Sequence, residues 1–311
     1  MLPETAMTRQ TLGGSKLEVS RLALGSWRTF ERISREEGVA VMRAAREHGL
    51  NFLDDARYDD ETGTAPIPTG YSEVLFGELF RAAGCDRADT VVCNKLWWEF
   101  WPEQSAAAEL EASLSRMGFE YIDLLYANPP PQGLGIAEMV GAVGELVSSG
   151  KARAWGIVNW PADAFLEATR AAEGQGIPPP CAAQLPYSLA QRDWVESAEM
   201  TTALEASGAG VVASFVMAGG VLTGKYDAGA TTGRAAGDLD DPRYAVARER
   251  GRRLRTVAEE AGVSPAALAI SFALANRAVA SVLFGATSPA QIAENVTALE
   301  VDAATVQRIS A

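Results

Sequence analysis

The chain has 311 residues, with 27 Lys and Arg against 40 Asp and Glu, one histidine and three cysteines. The net charge of −13 argues against nucleic acid or an anionic membrane as a partner, because each of them requires a basic face on the protein. The lone histidine and the three widely spaced cysteines exclude multi-histidine zinc sites, a disulfide framework and a cysteine metal cluster, so we expect no metal site.

Short apolar runs of strand length alternate along the chain with segments of helical periodicity. The strand-like runs lie at residues 21–24, 51–54, 90–94, 121–126, 154–158, 182–185, 210–215 and 279–284. The helix-like segments lie at residues 34–48, 72–83, 102–117, 135–149, 161–173, 193–206, 264–275 and 288–299. This alternation predicts an α/β fold, a single (β/α)8 TIM barrel that spans residues 1–311 as one domain. A doubly wound open sheet is the alternative, but residues 24–29 lack the glycine-rich phosphate turn that such a sheet needs after its first strand.

Two segments lie outside this alternation. Two apolar stretches around Gly13 and Gly14 predict a β-hairpin over residues 9–20, placed to cap the bottom of the barrel. Residues 224–243 are rich in Gly, Ala and Asp and lack periodicity. A loop of this length in a compact domain is usually functional or mobile.

Polar side chains stand where the second and third predicted strands end. In barrels of this type the site forms at the C-terminal ends of the strands, so Asp54, Tyr58 and Lys95 are expected to meet there. A buried ammonium beside a phenol lowers the pKa of the tyrosine, and a carboxylate keeps the lysine charged and oriented. Such a tyrosine can donate a proton to a developing alkoxide. A structural ion pair at the rim of the barrel is the alternative interpretation.

Five motifs, in order along the chain, resemble those of the aldo-keto reductases. Residues 49–56, GLNFLDDA, resemble the family's G-x-N-F-x-D-T-A, and residues 71–77, YSEVLFG, resemble its S-E-x-x-L-G helix start. Residues 150–159 resemble G-K-I-R-x-x-G-V-S-N, residues 219–226 resemble G-G-L-L-T-G-K-Y, and residues 285–295 resemble the cofactor-closing helix with its E-N pair. The resemblance covers nearly the whole chain and includes the branch of the potassium-channel beta subunits. It implies an NAD(P)H-dependent reductase of carbonyls with an Asp-Tyr-Lys-His tetrad.

The tetrad carries over at three positions. Asp54 matches the acid, Lys95 the lysine and Tyr58 the tyrosine that donates the proton. Tyr58 lies one residue closer to Asp54 than the family spacing, and an insertion at residues 59–69 follows it. Tyr71 is the second candidate, although it belongs to the following helix start.

Asn128 occupies the position of the family's strand-4 histidine. An amide donates or accepts hydrogen bonds but does not titrate. The change is compatible with reduction of a carbonyl that needs only to be polarised by a hydrogen bond. It is also compatible with reduction of an imine or iminium. A residue that only orients the substrate is the third interpretation.

The resemblance also implies the cofactor residues. They are Ser26, Trp27, Asp54, Asn159, Gln184, Phe215, Val216, Met217, Ala218, Gly219, Lys225, Arg234, Gly285, Thr287, Gln291, Glu294 and Asn295. Asn159 and Gln184 match the pair that holds the nicotinamide carboxamide, and the loop at 224–243 lies on the cofactor side. Ser214 replaces the aromatic residue that stacks on the nicotinamide, so stacking is expected from Phe215. NADPH is the expected cofactor, with NADH not excluded, because residues 285–287 lack the usual lysine or arginine.

A cluster of aromatic residues predicts the wall of the substrate pocket, with core packing as the alternative. The expected wall comprises Trp27, Trp97, Trp98, Phe100 and Trp101. We therefore expect a reductase of an aldehyde or ketone in a small, partly apolar or aromatic substrate. The alternatives are a non-catalytic NADP(H)-binding redox sensor and a reductase of imine C=N bonds.

The expected partner is a small-molecule substrate, and no feature of the sequence sets an oligomeric state. The chain does not open with an apolar leader, and its longest apolar stretch, residues 210–222, is too short to cross a bilayer. We expect a cytoplasmic protein with no membrane partner.

Overall fold

Eight parallel strands close into a barrel in the computed structural model, which describes residues 7–231 and 233–310. The strands in these residues are β1 (Arg9–Thr11), β2 (Glu18–Ser20), β3 (Leu22–Gly25), β4 (Phe52–Asp54), β5 (Val91–Leu96), β6 (Ile122–Ala127), β7 (Ala152–Val158), β8 (Ala182–Pro186), β9 (Gly210–Ser214) and β10 (Val279–Phe284). Strands β3 to β10 follow one another around the barrel in chain order, and β10 pairs with β3 to close it. The predicted (β/α)8 barrel with an N-terminal hairpin is confirmed.

The barrel strands are apolar on both faces because one face fills the barrel and the other packs under the helices. In β4, Phe52 belongs to the inner cluster of the barrel, and Leu53 packs in the outer layer under the helices. The alternation continues to Asp54, which therefore points inward at the C-terminal end of the strand. The same alternation carries Lys95 inward, two residues beyond the inner residue Cys93.

Helices surround the barrel and connect consecutive strands. Within the described residues they are α1 (Arg35–Glu47), α2 (Tyr71–Ala82), α3 (Ala106–Met117), α4 (Ile136–Ser148), α5 (Ala162–Gln175), α6 (Asp193–Glu196), α7 (Ala198–Ser207), α8 (Ala245–Ala261), α9 (Pro265–Ala275), α10 (Pro289–Val296) and α11 (Ala303–Ser310). Side-chain caps define several starts, as their sequences predict. Ser34 and Glu37 form a capping box on α1, and Ser264 caps α9 ahead of a proline at the first turn.

Some helix bounds differ from the predicted ones for local reasons. The predicted helix 193–206 is broken at Ser197, whose extended backbone lets its side chain cap α7 at Met200. Helix α3 begins at Ala106 rather than at residue 102, because Ser105 caps it. Helix α10 ends at Val296 and is followed by a 3-10 turn, Thr297–Glu300.

Two helices, α8 and α11, were not predicted from the sequence. The buried side of α8 is formed largely by small residues, including Ala247, Gly251 and Ala258. Small residues give a weak periodic signal, and the many arginines of this helix hide it further. The last helix, α11, is only eight residues long and buries Val306 and Ile309.

The hairpin of β1 and β2 lies at the bottom of the barrel, as predicted. The strands pair antiparallel, with Gln10 opposite Val19. Leu12, Leu17 and Val19 pack with residues of the inner barrel cluster. The side chain of Gln10 donates a hydrogen bond to the carbonyl of Ala280 at 2.6 Å. The opposite end of the barrel is the one that opens into a cavity.

No single helix among the described residues is long and apolar enough to cross a membrane. The consecutive segments Pro242–Ala261 and Pro265–Ala275 reach that length and hydropathy only when they are taken together, with a bend of 104° between them.

Candidate active site

A cavity of about 690 Å³ opens at the C-terminal ends of the barrel strands. Its volume lies in the range of about 300–1,000 Å³ that small-molecule and cofactor sites occupy. The predicted site residues that line it are Trp27, Asp54, Tyr58, Lys95, Trp97, Asn128, Asn159, Gln184, Phe215, Ala218 and Arg234. Residues from seven of the eight barrel-strand ends and from the loop at 224–243 thus meet in one place.

Lys95 joins the predicted acid and the predicted tyrosine at the floor of the cavity. Its Nζ donates to the carboxylate oxygens of Asp54 at 2.9 and 2.7 Å and to the hydroxyl of Tyr58 at 3.2 Å. Asp54 is 4% exposed and Lys95 is 5% exposed. Gln184 donates to the same carboxylate at 3.2 Å. Four elements therefore hold a single hydrogen-bonded group around one buried ammonium.

The pKa values of this group differ in part from the expectation. Burial opposes the charge on Lys95, but Asp54 and the hydroxyl of Tyr58 together outweigh it and raise the pKa of the ammonium. Burial also raises the pKa of Tyr58 above its ordinary value, although the Lys95 ammonium acts in the opposite direction. The expected net lowering of the tyrosine pKa is therefore wrong, because desolvation of the hydroxyl exceeds the effect of the ammonium. Tyr58 is a protonated phenol at neutral pH.

Tyr58, rather than Tyr71, contacts Lys95. The hydroxyl of Ser72, in the first turn of α2, accepts from the backbone N–H of Tyr58 at 3.1 Å and donates to the carbonyl of Ala56 at 2.7 Å. The N–H of Gly70 donates to the carbonyl of Tyr58 at 3.0 Å. The two ends of the insertion are thus held together beside Tyr58.

Asn128 lines the cavity close to this group. Its side-chain Nδ2 donates to the backbone carbonyl of Leu96 at 3.0 Å. The backbone carbonyl of Asn128 accepts from the indole N–H of Trp98 at 3.1 Å. The backbone N–H of Asn128 also donates to Leu96. The residue is fixed by three hydrogen bonds to the end of β5 and the segment after it.

The aromatic residues divide between the cavity and the core. Trp27 and Trp97 line the cavity, and the Trp97 ring meets the Tyr58 ring edge to face at 6.1 Å between centroids. Trp98 is 3% exposed and packs in the outer core, and Trp101 packs against the same core. Phe100 is 49% exposed and lies beneath the guanidinium of Arg57.

The expectation that Trp98, Phe100 and Trp101 form the pocket wall is corrected, because the described cavity lining includes none of the three. For Trp98 and Trp101 the alternative of core packing holds. Sequence spacing alone does not separate these residues from Trp97, since all of them lie on one irregular segment.

The predicted nicotinamide side contains strained backbone. Asn159, Phe215 and Ala218 adopt left-handed φ values of 57°, 59° and 48°. Such values in residues other than glycine are uncommon and cluster at functional sites. Asn159 and Gln184 are neighbours, joined by a backbone hydrogen bond of 3.0 Å. The Phe215 ring lies 6.4 Å from that of Trp27.

The loop at 224–243 folds over the cavity, and residue 232 of this predicted loop lies outside the described part. Arg234 donates to the carbonyl of Trp27 at 2.7 Å. A Cβ at Gly285 would collide with the guanidinium of Arg234, so the glycine lets the two segments meet. Lys225 lies against the ring of Tyr226, whose hydroxyl donates to the carbonyl of Gly219 at 2.9 Å.

Several predicted cofactor residues lie outside the described lining of the cavity. They are Ser26, Val216, Met217, Gly219, Lys225, Gly285, Thr287, Gln291, Glu294 and Asn295. Ser26 is buried, and its hydroxyl bonds to Asp55. Thr287 and Gln291 bond to each other at the start of α10, where the Thr287 N–H donates to the Gln291 side chain at 2.8 Å. The roles of these residues stay predictions from the resemblance.

The cavity also has lining residues that sequence reasoning missed. Gln191 and Ser188 come from the segment after β8, Arg243 and Tyr244 from the 3-10 turn just before α8, and Ala247 from the first turn of α8. The only available signal was the long loop, whose predicted end at residue 243 adjoins this helix. In the part of the chain that the structure describes, no group of three or more His, Cys, Asp or Glu side chains is placed to hold a metal ion.

Comparison with known proteins identifies the family of the chain. The aldo/keto reductase family matches residues 21–311. A probable voltage-gated potassium channel subunit beta of Arabidopsis thaliana is 31% identical over 310 residues, which cover 95% of this chain and 92% of that protein. A probable voltage-gated potassium channel subunit beta of Oryza sativa subsp. japonica is 32% identical over 310 residues, with the same coverage. The chain belongs to the aldo/keto reductase family.

Proposed function

We propose, from this membership and from the group around Lys95, that the protein is an NADPH-dependent oxidoreductase. It reduces the carbonyl group of a small, partly apolar substrate in the cytoplasm. The observation that carries the proposal is the buried ammonium of Lys95 within hydrogen-bond distance of both Asp54 and the hydroxyl of Tyr58. An ion pair with a purely structural role has no need for a phenol facing a cavity of this size.

The residues present fit a nicotinamide dinucleotide. The side chains of Asn159 and Gln184 offer amide groups to a carboxamide at the cavity floor. Arg234 supplies a cation on the loop side, where its guanidinium packs against Gly285. When bound, the reduced dinucleotide supplies the hydride. NADPH is proposed before NADH because Arg234 offers a guanidinium to the 2′-phosphate, which NADH lacks.

Residues of the chain donate the proton that the reduction needs. Tyr58 keeps its proton at neutral pH because burial raises its pKa. Its hydroxyl donates that proton to the carbonyl oxygen as negative charge develops there. The Lys95 ammonium, 3.2 Å away, stabilises the phenolate that remains. Asp54 holds Lys95 in this position and keeps it charged.

The variant Tyr58→Phe tests the proposal. It is expected to lower turnover of aldehydes and ketones by at least about 100-fold, the contribution of a general acid. NADPH binding, followed by cofactor fluorescence, is expected to stay intact. Tyr71→Phe is the matched control and is expected to keep its turnover. Wild-type turnover in Tyr58→Phe would contradict the assignment.

A non-catalytic NADP(H)-binding sensor is the second candidate. Two observations favour it: the relatives are named as channel beta subunits, and Asn128 offers no titratable group. Tight NADPH binding without oxidation by any member of a panel of aldehydes, ketones and imines would support the sensor. Oxidation by any of them would exclude it.

A further inference from the structure

The amide of Asn128 is oriented by its surroundings. Its Nδ2 lies 3.0 Å from the carbonyl oxygen of Leu96, and a carbonyl cannot donate a hydrogen bond. The opposite orientation would place two acceptors against each other. The oxygen of the amide therefore points away from Leu96, and it has no hydrogen-bond partner in residues 7–231 and 233–310.

A free amide oxygen on the cavity surface is an acceptor that a ligand can satisfy. A carbonyl substrate brings a second acceptor to this place, so it gains nothing from that oxygen. A protonated imine brings an N–H donor with positive charge, and a hydrogen bond from a charged donor is roughly twice as strong as a neutral one. The Asn128 oxygen thus offers an N–H substrate a hydrogen bond that a carbonyl substrate cannot make with it.

The entrance beside Tyr58 also suits a cation. A crevice of about 200 Å³ lies there between the rings of Trp27, Tyr58 and Trp97. Aromatic faces attract cations. The charged residues of its lining are three carboxylates, Asp59, Glu61 and Glu99, and one guanidinium, Arg57.

The charges at this entrance are partly balanced by ion pairs. Arg57 is paired with Glu99, and Glu61 with Arg28. Asp59 remains without a charged partner among the described residues. Glu61 also pairs with Arg32, so the three carboxylates face three guanidinium groups, and the aromatic rings rather than net charge are what suits a cation here.

We propose that the preferred substrates are iminium ions that carry an N–H group, which is held by the Asn128 side-chain oxygen. This inference rests on the proposed function of the site as a nicotinamide-dependent reductase. In the reaction, the hydride of the reduced nicotinamide forms a C–H bond at the iminium carbon. The C=N π pair becomes the lone pair of the nitrogen, and the products are a neutral amine and the oxidised dinucleotide. The nitrogen is protonated before this step and needs no further proton in it.

Three probes of one bicyclic skeleton separate the contributions. Dihydroisoquinoline, assayed below its own pKa, is a cation with an N–H; N-methyl dihydroisoquinolinium is a cation without one; tetralone is a neutral acceptor. Each is assayed by NADPH oxidation with the full-length protein and with Asn128→Leu. NADPH fluorescence titration and circular dichroism of the variant report whether the cavity and the fold persist.

The informative quantity is the ratio of kcat/KM for dihydroisoquinoline to that for its N-methyl salt. It is expected to fall by about 10- to 100-fold in Asn128→Leu, because only the first probe donates to Asn128. An unchanged ratio overturns the inference. So does a selective loss of tetralone turnover, which would mean that the second N–H of Nδ2 serves a carbonyl. If none of the probes, nor any aldehyde, oxidises NADPH in the unmodified protein, the proposed function itself fails.

Discussion

The guanidinium of Arg234 donates to the backbone carbonyl of Trp27 at 2.7 Å and lies 5.4 Å from the centroid of its indole ring. A second guanidinium, that of Arg28, lies 4.9 Å from the same ring. Arg28 in turn donates to the carbonyl of Arg234 at 3.4 Å. The loop at 224–243 is therefore tied across the cavity to the segment that follows β3.

The first prediction concerns the hydrogen bond between Arg234 and Trp27. Arg234→Met removes the hydrogen bond to Trp27 and a cation from the cofactor side of the cavity. We expect the Kd for NADPH to rise by about 10- to 100-fold, the effect of losing one hydrogen bond to a charged group. Fluorescence titration measures this Kd. Arg248→Met, at an exposed position on α8, is the matched control. Equal affinities of both variants would contradict the prediction.

The second prediction concerns Glu61, on the insertion that follows Tyr58. Glu61 pairs with Arg28 at 2.5 Å and with Arg32 at 3.1 Å. Because Arg28 also contacts Arg234, these ion pairs connect the insertion to the loop at 224–243. In Glu61→Gln we expect NADPH to dissociate about 2- to 5-fold faster, since partly exposed ion pairs contribute little. Stopped-flow fluorescence measures the rate.

Added salt tests the same link. Salt screens this pair, so it is expected to speed dissociation in the unmodified protein more than in Glu61→Gln. Glu78→Gln breaks a pair with Arg35 on the helix layer and serves as the control. A release rate that neither Glu61→Gln nor salt alters would show that the insertion does not hold the loop.

The sequence predicted the barrel and the meeting of Asp54 with Lys95 for a physical reason. Strand runs at regular spacing place consecutive strand ends side by side, so Asp54 and Lys95 meet whatever the loops do. Tyr58, by contrast, lies in a loop, where Ser72 and Gly70 hold its backbone through hydrogen bonds that the strand pattern does not predict. The resemblance indicated the tyrosine that contacts Lys95 without that reason.

The irregular segments carried less information in the sequence. Trp97 and Trp98 are adjacent, yet one lines the cavity and the other lies in the core, because Trp98 adopts a left-handed φ of 61°. Arg243 and Tyr244 reach the cavity because α8 begins there, and its small buried residues gave no periodic signal. Conformation at such points is set by tertiary contacts rather than by local pattern.

The third prediction is a pH dependence of stability due to Asp55, the residue that follows Asp54. Burial, reinforced by Glu73, raises the pKa of this carboxyl well above its ordinary value. The unfolded chain therefore releases the proton at lower pH, near about 4. Stability is lost as the pH rises from there towards the folded pKa, by up to about 1.4 kcal/mol for each unit.

Asp55→Asn removes this titration and keeps an acceptor for the hydroxyl of Ser26. The free energy of unfolding of the variant, relative to the unmodified protein, is expected to increase between pH 4 and pH 8. Denaturant titrations at several pH values measure the difference, and its slope is insensitive to any constant effect of the substitution. Asp240→Asn, at an exposed position, is the control. A flat difference would show that Asp55 is charged in the folded protein.

The fourth prediction separates the structural role of the Lys95–Asp54 pair from its chemical role. Lys95→Met leaves the Asp54 carboxylate buried with only the amide of Gln184 as a donor among the described side chains. Removing one partner of a buried ion pair costs about 3–5 kcal/mol of stability. The double variant Asp54→Asn/Lys95→Met removes both charges, so most of that loss is expected to be recovered. Carbonyl turnover is not expected to recover, because the Tyr58 phenolate has lost the ammonium that stabilises it. Chemical denaturation and NADPH oxidation are measured on all three proteins. Recovery of turnover together with stability would mean that the pair only supports the fold and that Tyr58 donates its proton without help from Lys95.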